Sequence, residues 1–100
     1  MTTQVLDVYD SDDPQKVIEI AVDTLQADQV VAFPTETVYG LGAAVNDITA
    51  IEKIFEIKGR LESQVLTLAI NDASALTAFA PDSSTLARRL ARRCWPGPLT

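Results

Sequence analysis

Hydrophobic and β-branched residues cluster in three segments of this chain with the pattern of strands. Residues 4–9 include Val5, Leu6 and Val8, a continuous apolar run covers residues 30–33, and residues 65–70 are again rich in β-forming side chains. The run at residues 30–33 suits a strand buried on both faces, and Pro34 ends it because proline has no backbone N–H to donate. The pattern therefore predicts three strands.

Between these segments, apolar residues recur every three or four positions, which is typical of helices packed along one face. The four predicted helices begin at Pro14, at Ile48, at Ala73 and at Ser83 or Ser84. Asp13 is a favourable cap for the first helix, Asn46 or Asp47 caps the second, and Gly59 is well placed to end the second after Lys58. Strands that alternate with helices predict an α/β fold, a β-sheet with helices packed on it.

The loop after the central strand carries an unusual number of hydroxyl groups. Thr35, Thr37 and Tyr39 alternate, so an extended backbone would direct all three hydroxyls to one side. Gly40 and Gly42 follow, and glycine permits a positive φ or the close approach of a ligand to the backbone. The loop therefore suits a small polar ligand. The alternative is a buried turn whose hydroxyls bond locally to the backbone.

Composition excludes several kinds of site. The chain has 100 residues, 47% hydrophobic and 22% charged, which fits one small globular domain. Histidine is absent and Cys94 is the only cysteine, so disulfides, histidine-based triads and Cys/His metal clusters are excluded within this stretch. No apolar run is long enough to span a membrane and the N-terminus does not resemble a signal peptide, so we expect a cytoplasmic protein.

Two groups of cations are candidates for binding anions. Lys58 and Arg60 flank Gly59 and could converge on a carboxylate or phosphate. The alternative is that Lys58 compensates the helix dipole while Arg60 is simply exposed. A second group lies on one face of the last helix and could contact RNA phosphates or be a solvated surface: Arg88, Arg89, Arg92 and Arg93. The net charge of −6 argues against a protein whose main task is to coat nucleic acid.

Three motifs in order resemble the YrdC/TsaC family, the threonylcarbamoyl-AMP synthases. They are residues 33–42 (FPTETVYGLG), residues 58–60 (KGR) and residues 95–100 (WPGPLT). Their order and spacing agree with that family across the whole chain. The resemblance implies a twisted mixed β-sheet with packed helices around a concave cationic cleft. It also implies that residues 1–100 are the N-terminal portion of a single such domain, apparently truncated at Thr100.

The reaction implied by the resemblance joins L-threonine, bicarbonate and ATP into threonylcarbamoyl-adenylate and pyrophosphate. The product serves the threonylcarbamoyl modification of adenosine in tRNA, so the tRNA modification machinery is the implied partner. A carbamate oxygen attacks the α-phosphorus while pyrophosphate leaves. Such a nucleotidyl transfer needs anions held in line and charge neutralised by cations and by magnesium that accompanies ATP. It needs neither histidine nor cysteine, and we expect no metal ligands from the protein.

The resemblance also implies roles for individual residues. Thr37 would contact the substrate threonine, and Thr35 and Tyr39 would line its pocket. Lys58 and Arg60 would be catalytic and would bind the carboxylate and phosphate charges. Gln64 stands where the family has a polar residue that contacts ATP.

This chain departs from the family pattern after Arg60. Leu61 and Val65 replace two prolines, and Ala69 stands where a histidine is common. Without those prolines the loop should cost more entropy to order around ATP. The family's Ser-x-Asn motif would lie after Thr100. We therefore expect the 100-residue chain on its own to be poorly stable, to expose a sheet edge and to be inactive.

Three other functions are compatible with parts of the pattern. The related carbamoyl-transfer domain of hydrogenase maturation proteins normally follows acylphosphatase and zinc-finger modules, and the start at Met1 argues against it. The second is a non-catalytic RNA-binding module of the same fold that acts in tRNA or ribosome maturation. The altered loop and the arginines of the last helix favour it, whereas the net charge of −6 argues against it. A degenerate remnant of the enzyme is the third.

Overall fold

Four helices and one antiparallel pair of strands form the computed structural model, which describes residues 3–59 and 65–100. The mixture of helices and sheet confirms the predicted α/β class. The chain divides into two compact units, Met1–Gln64 and Val65–Thr100. In chain order the elements are α1 (Pro14–Gln26), β1 (Val31–Phe33), β2 (Gly40–Gly42), α2 (Ile48–Lys58), α3 (Ala75–Phe79) and α4 (Thr85–Cys94).

Helix α1 begins where the sequence predicted it. The Asp13 carboxylate accepts a hydrogen bond from the backbone N–H of Lys16 at 3.3 Å, and Pro14 is the first helical residue. The helix ends at Gln26, and two residues later Asp28 turns the chain with a φ of 59°. No residue of α1 is fully buried, so its apolar stripe packs only partly on the neighbouring strand β1.

Strands β1 and β2 form a hairpin. Val31 pairs with Gly42, Ala32 with Leu41 and Phe33 with Gly40. Only β1 was predicted, because glycine is a poor strand former and supplies two of the three residues of β2. The prediction that β1 is buried on both faces was wrong: Ala32 and Phe33 are exposed.

Helix α2 supplies the buried residues of the first unit. Asp47 caps it by accepting from the N–H of Ala50 at 2.9 Å, and Gly59 ends it in the left-handed conformation with a φ of 65°. Ala50 is 0% exposed, Ile54 is 4% exposed and Phe55 is also buried. These observations confirm both predicted ends of the helix.

Two predicted strands, residues 4–9 and 65–70, are irregular in the structure. A strand needs a hydrogen-bonded neighbour, and neither segment pairs with another strand among the residues that the structure describes. At the first segment the Asp7 carboxylate instead accepts from the N–H groups of Tyr9 and Asp10, at 2.9 and 3.1 Å, which forms a local turn.

The second unit contains the two C-terminal helices. Helix α3 is shorter than the predicted residues 73–80, and Ser84 caps α4 by accepting from the N–H of Ala87 at 3.1 Å. Ala91 is buried, whereas Leu86 and Leu90 on the same helix are exposed.

Beyond α4, the indole N–H of Trp95 donates to the carbonyl of Leu99 at 2.8 Å and closes the turn between them, in which the Trp95–Pro96 peptide is cis. No helix within residues 3–59 and 65–100 combines the length and the apolar character needed to cross a membrane.

Candidate functional site

The hairpin presents the hydroxyl-bearing segment at its turn. We call residues 34–39, which join β1 to β2, the hydroxyl loop. All six residues of this loop are exposed, and the backbone bends at residues 36–38 rather than staying extended. The prediction that an extended backbone aligns three hydroxyls was therefore wrong in its geometry. The bend nevertheless brings two of them together, with the Oγ1 atoms of Thr35 and Thr37 3.4 Å apart.

The hydroxyl of Thr35 is used within the loop. It donates its hydrogen to the carbonyl of Val38 and accepts a hydrogen bond from the backbone N–H of Thr37 at 3.3 Å. A threonine hydroxyl has one hydrogen and two lone pairs, so little capacity is left for a ligand. Thr35 therefore closes the loop in the way that the alternative of local backbone bonding predicted.

The hydroxyl of Thr37 is much less constrained. Among the described residues it contacts Thr35 Oγ1 alone, and 3.4 Å is longer than the usual O–H···O distance. Because Thr35 has given its hydrogen to Val38, Thr37 is the donor in that weak contact and both of its lone pairs stay free. Thr37 is thus the threonine of this loop that can accept a hydrogen bond from a ligand.

Tyr39 lies beside these threonines in sequence but is separate from them in its contacts. It is 76% exposed, and within the described residues no hydrogen bond joins it to Thr35 or Thr37. The structure therefore brings together two of the three predicted pocket residues and leaves the third on the open surface of the loop.

The two glycines of β2 have a role that their sequence did not suggest. Neither has a positive φ, so the first of the two possibilities that the sequence left open does not apply. A Cβ built on Gly42 would lie 2.8 Å from Cε1 of Phe33, and one built on Gly40 would lie 3.3 Å from Cζ of the same ring. The close approach that these glycines permit is that of the Phe33 ring, a contact that sequence spacing alone did not indicate.

Of the residues predicted to bind phosphate, one is described. Lys58 is the last residue of α2 and its side chain is exposed, a position that suits both compensation of the helix dipole and contact with an anion. Arg60 and Gln64, like Leu61, lie outside the described residues. Their proposed roles, and the convergence of Lys58 and Arg60, stay predictions.

An acidic cleft lies between the end of α1 and the start of α2. It has a volume of about 370 Å³, and its lining includes Leu25, Asp28, Asp47 and Ile48. The pKa of Asp28 is raised because its protonated carboxyl donates a hydrogen bond to Asp47, whereas the backbone N–H of Ala50 lowers the pKa of Asp47 by donating to its carboxylate. The sequence did not indicate this carboxyl pair, because the whole hairpin separates Asp28 from Asp47 along the chain.

The arginines of α4 divide into two kinds. Arg88 is hydrogen-bonded within the second unit. Its guanidinium donates to the carbonyl of Pro81 at 3.0 Å and to the hydroxyl of Ser83 at 3.3 Å. All four arginines are exposed, and we call the other three the arginine face: Arg89, Arg92 and Arg93. Two of these occupy the last turn, where positive charge compensates the helix dipole.

Comparison with known proteins adds to this geometry. A family model named Sua5_yciO_yrdC and described as "Telomere recombination" matches residues 23–100. The chain is 44% identical over 96 residues to a threonylcarbamoyl-AMP synthase from Bacillus subtilis (strain 168), a match that covers 96% of this chain and 27% of that protein. It is 46% identical over 83 residues to a protein of the same name from Pyrococcus abyssi (strain GE5 / Orsay), covering 83% of this chain and 24% of that protein.

A third relative is shorter. The chain is 34% identical over 89 residues to a threonylcarbamoyl-AMP synthase from Klebsiella pneumoniae, covering 87% of this chain and 47% of the relative. The chain thus spans between about a quarter and a half of the length of these relatives. No solved structure matches it.

Proposed function

This chain belongs to the Sua5/YciO/YrdC family, and from that premise we propose that it is part of a threonylcarbamoyl-AMP synthase. The observation that carries the proposal is the identity of 44–46% to two proteins of that name, from a bacterium and an archaeon, over most of this chain. The proposed reaction consumes L-threonine, bicarbonate and ATP. It releases pyrophosphate and threonylcarbamoyl-adenylate, which the tRNA modification machinery then uses.

In this proposal the hydroxyl loop binds the substrate threonine. Thr37 accepts a hydrogen bond from the ammonium group of threonine, because its oxygen has two free lone pairs. Thr35 holds the loop in the conformation that presents Thr37, and Tyr39 contributes its exposed ring to the wall of the pocket. The free Thr37 hydroxyl on an exposed loop is the structural feature that supports this assignment.

The chemistry proposed for the phosphates is electrostatic. After threonine and bicarbonate condense to a carbamate with loss of water, a carbamate oxygen bonds to the α-phosphorus of ATP and the bond to pyrophosphate breaks. Lys58 and Arg60 neutralise the charge on the carboxylate and the phosphates, and Gln64 gives ATP a hydrogen bond. Magnesium enters bound to ATP and supplies further charge neutralisation. The roles of Arg60 and Gln64 rest on the sequence motif.

The decisive assay is pyrophosphate release by the full-length protein that carries this segment. We expect release to depend on L-threonine, bicarbonate and ATP together, and to fall when any one of them is omitted. Serine serves as the matched control substrate, since it lacks only the methyl group of threonine. Pyrophosphate release that is indifferent to threonine would overturn the proposal. Because ATP and tRNA are the proposed substrate and final acceptor, we also propose a cytoplasmic location.

The RNA-binding alternative is the weaker proposal. An RNA-binding module would use exposed cations, and the arginine face offers three. Arg88, however, is engaged by Pro81 and Ser83, and the net charge of the chain is −6. We therefore propose direct RNA contact only as a secondary property of this segment.

A further inference from the structure

We infer that Phe33 is a positioning residue for substrate threonine: its ring packs against the two glycines of β2 and thereby sets the conformation of the hydroxyl loop. This inference rests on the proposed function, because the ligand it positions is the threonine of that reaction. Phe33 itself need not touch the substrate. It acts through the loop that begins at the next residue.

The first step is the fit between the ring and the glycines. Phe33 pairs directly with Gly40, and Gly42 lies two residues further along the same strand, so both glycines present the same face of β2. A Cβ on Gly42 would come within 2.8 Å of the ring, a distance that real Cβ atoms essentially never show. With no positive φ at either glycine, the space for the ring explains why side chains are absent there.

The second step connects the ring to the loop. Phe33 and Thr35 both lie against the same face of Gly40, because a Cβ built there would lie 3.3 Å from Cζ of Phe33 and 3.6 Å from Cγ2 of Thr35. The methyl group of Thr35 thus lies against the same glycine as the ring of Phe33. Its hydroxyl then donates to Val38 and accepts from the N–H of Thr37, so the position of the ring is transmitted to Thr37 through a single residue.

The third step is that the hairpin is short and that its second strand has only one side chain. Each strand is three residues long, and two of the three residues of β2 have no side chain. An aromatic ring laid across strand glycines replaces the cross-strand contacts that they cannot make. Phe33 is 40% exposed, so it is not a residue of the buried core, and its ring packs on both glycines of β2.

The test is a double-mutant cycle in the full-length protein, with pyrophosphate release as the assay. Gly42→Ala places a methyl group against the ring. We expect it to raise the KM for threonine about tenfold, which is the effect of losing one hydrogen bond to the substrate. The KM for ATP should stay unchanged. Phe33→Leu removes the ring edge that the new methyl meets. In that background Gly42→Ala should therefore have a much smaller effect than in the parent.

Three controls separate positioning from general stability. Phe33→Tyr keeps the ring and should keep the parental KM for threonine. Phe79→Leu is the same truncation as Phe33→Leu at a phenylalanine that is 54% exposed on α3, and it should leave that KM unchanged. Gly40→Ala, with its milder 3.3 Å approach, replaces Gly42→Ala if the latter does not fold.

A readout independent of activity is hydrogen exchange at the Thr37 amide, whose N–H is held by Thr35. We expect faster exchange in Gly42→Ala than in the parent, and a smaller increase when Phe33→Leu is also present. Equal effects of Gly42→Ala in both backgrounds, or a loss of melting temperature with no change in threonine KM, would overturn the inference. If the parent protein releases no pyrophosphate, the proposed function fails, and the exchange rates alone decide whether the ring sets the loop.

Discussion

The different hydrogen-bonding states of the two loop threonines lead to the sharpest prediction. Thr37→Val and Thr35→Val each replace a hydroxyl by a methyl group of nearly the same size. Within the part of the chain that the structure describes, the first removes a hydroxyl with one weak contact at 3.4 Å, and the second removes a hydroxyl that holds both Val38 and the Thr37 N–H. The two variants should therefore fail in different ways.

The expected magnitudes follow from which bonds are lost. A hydrogen bond from a charged group contributes roughly 1.5–3 kcal/mol, so Thr37→Val should raise the KM for threonine about 10- to 150-fold. Its melting temperature should match the parent, since the loop loses no strong bond. Thr35→Val should destabilise the protein by about 0.5–1.5 kcal/mol, at the low end because water can reach the exposed loop.

The assays are steady-state pyrophosphate release at varied threonine and thermal unfolding of each variant without substrate. Thr37→Ser and Thr35→Ser are the matched controls, because each keeps the hydroxyl and should stay close to the parent in both assays. The hydrogen-bond assignment would be refuted if Thr37→Val left the threonine KM within about twofold of the parent, the scale of an energetically minor contact, while Thr35→Val raised it strongly.

Three further predictions concern the helices and the acidic cleft. The pKa of Asp28 is raised by folding, so its contribution to stability is present below the unfolded-state pKa and is lost as pH rises through the folded-state pKa. Asp28→Asn stays neutral and can still donate a hydrogen bond to Asp47, so its melting temperature should be higher than that of the parent at pH 7. The difference in melting temperature should shrink near pH 4. Ile54→Ala should cost about 2–5 kcal/mol in chemical denaturation because Ile54 is 4% exposed, whereas Ile57→Ala on the exposed side of α2 should cost much less. Replacing the three residues of the arginine face by glutamine should leave pyrophosphate release unchanged, and a loss of turnover would contradict the assignment of catalysis to the first unit. A parallel filter-binding assay would report any loss of salt-dependent RNA affinity.

Helix ends were predictable because their signals are local. Asp13 and Asp47 bond to amides three residues ahead, and Gly59 takes up its left-handed conformation one residue after the helix it ends. Each of these interactions is complete within a few residues of sequence. The strands were less predictable. Residues 4–9 are rich in strand formers, but a segment becomes a strand only when a neighbouring strand pairs with it, and the sequence pattern does not show whether such a neighbour exists.

The candidate site was predicted in its residue types and only partly in its geometry. The spacing of Thr35 and Thr37 correctly indicated that their hydroxyls lie together, but a bend rather than an extended backbone brings them there. The contact of Phe33 with Gly42 joins residues nine apart through the register of a hairpin, and β2 was not foreseen. Register is a property of two strands, so it was not readable from either segment alone.

The irregular state of residues 65–70 has a consequence for how this segment behaves at high concentration. The stretch Val-Leu-Thr-Leu-Ala-Ile has no charge and no proline, and it forms no strand pair among the described residues. Six-residue segments of this composition are typical of the spines of cross-β fibrils. Unless another strand covers it, this segment can recruit identical copies of itself. A single lysine in place of Thr67 would act as a gatekeeper against such fibrils.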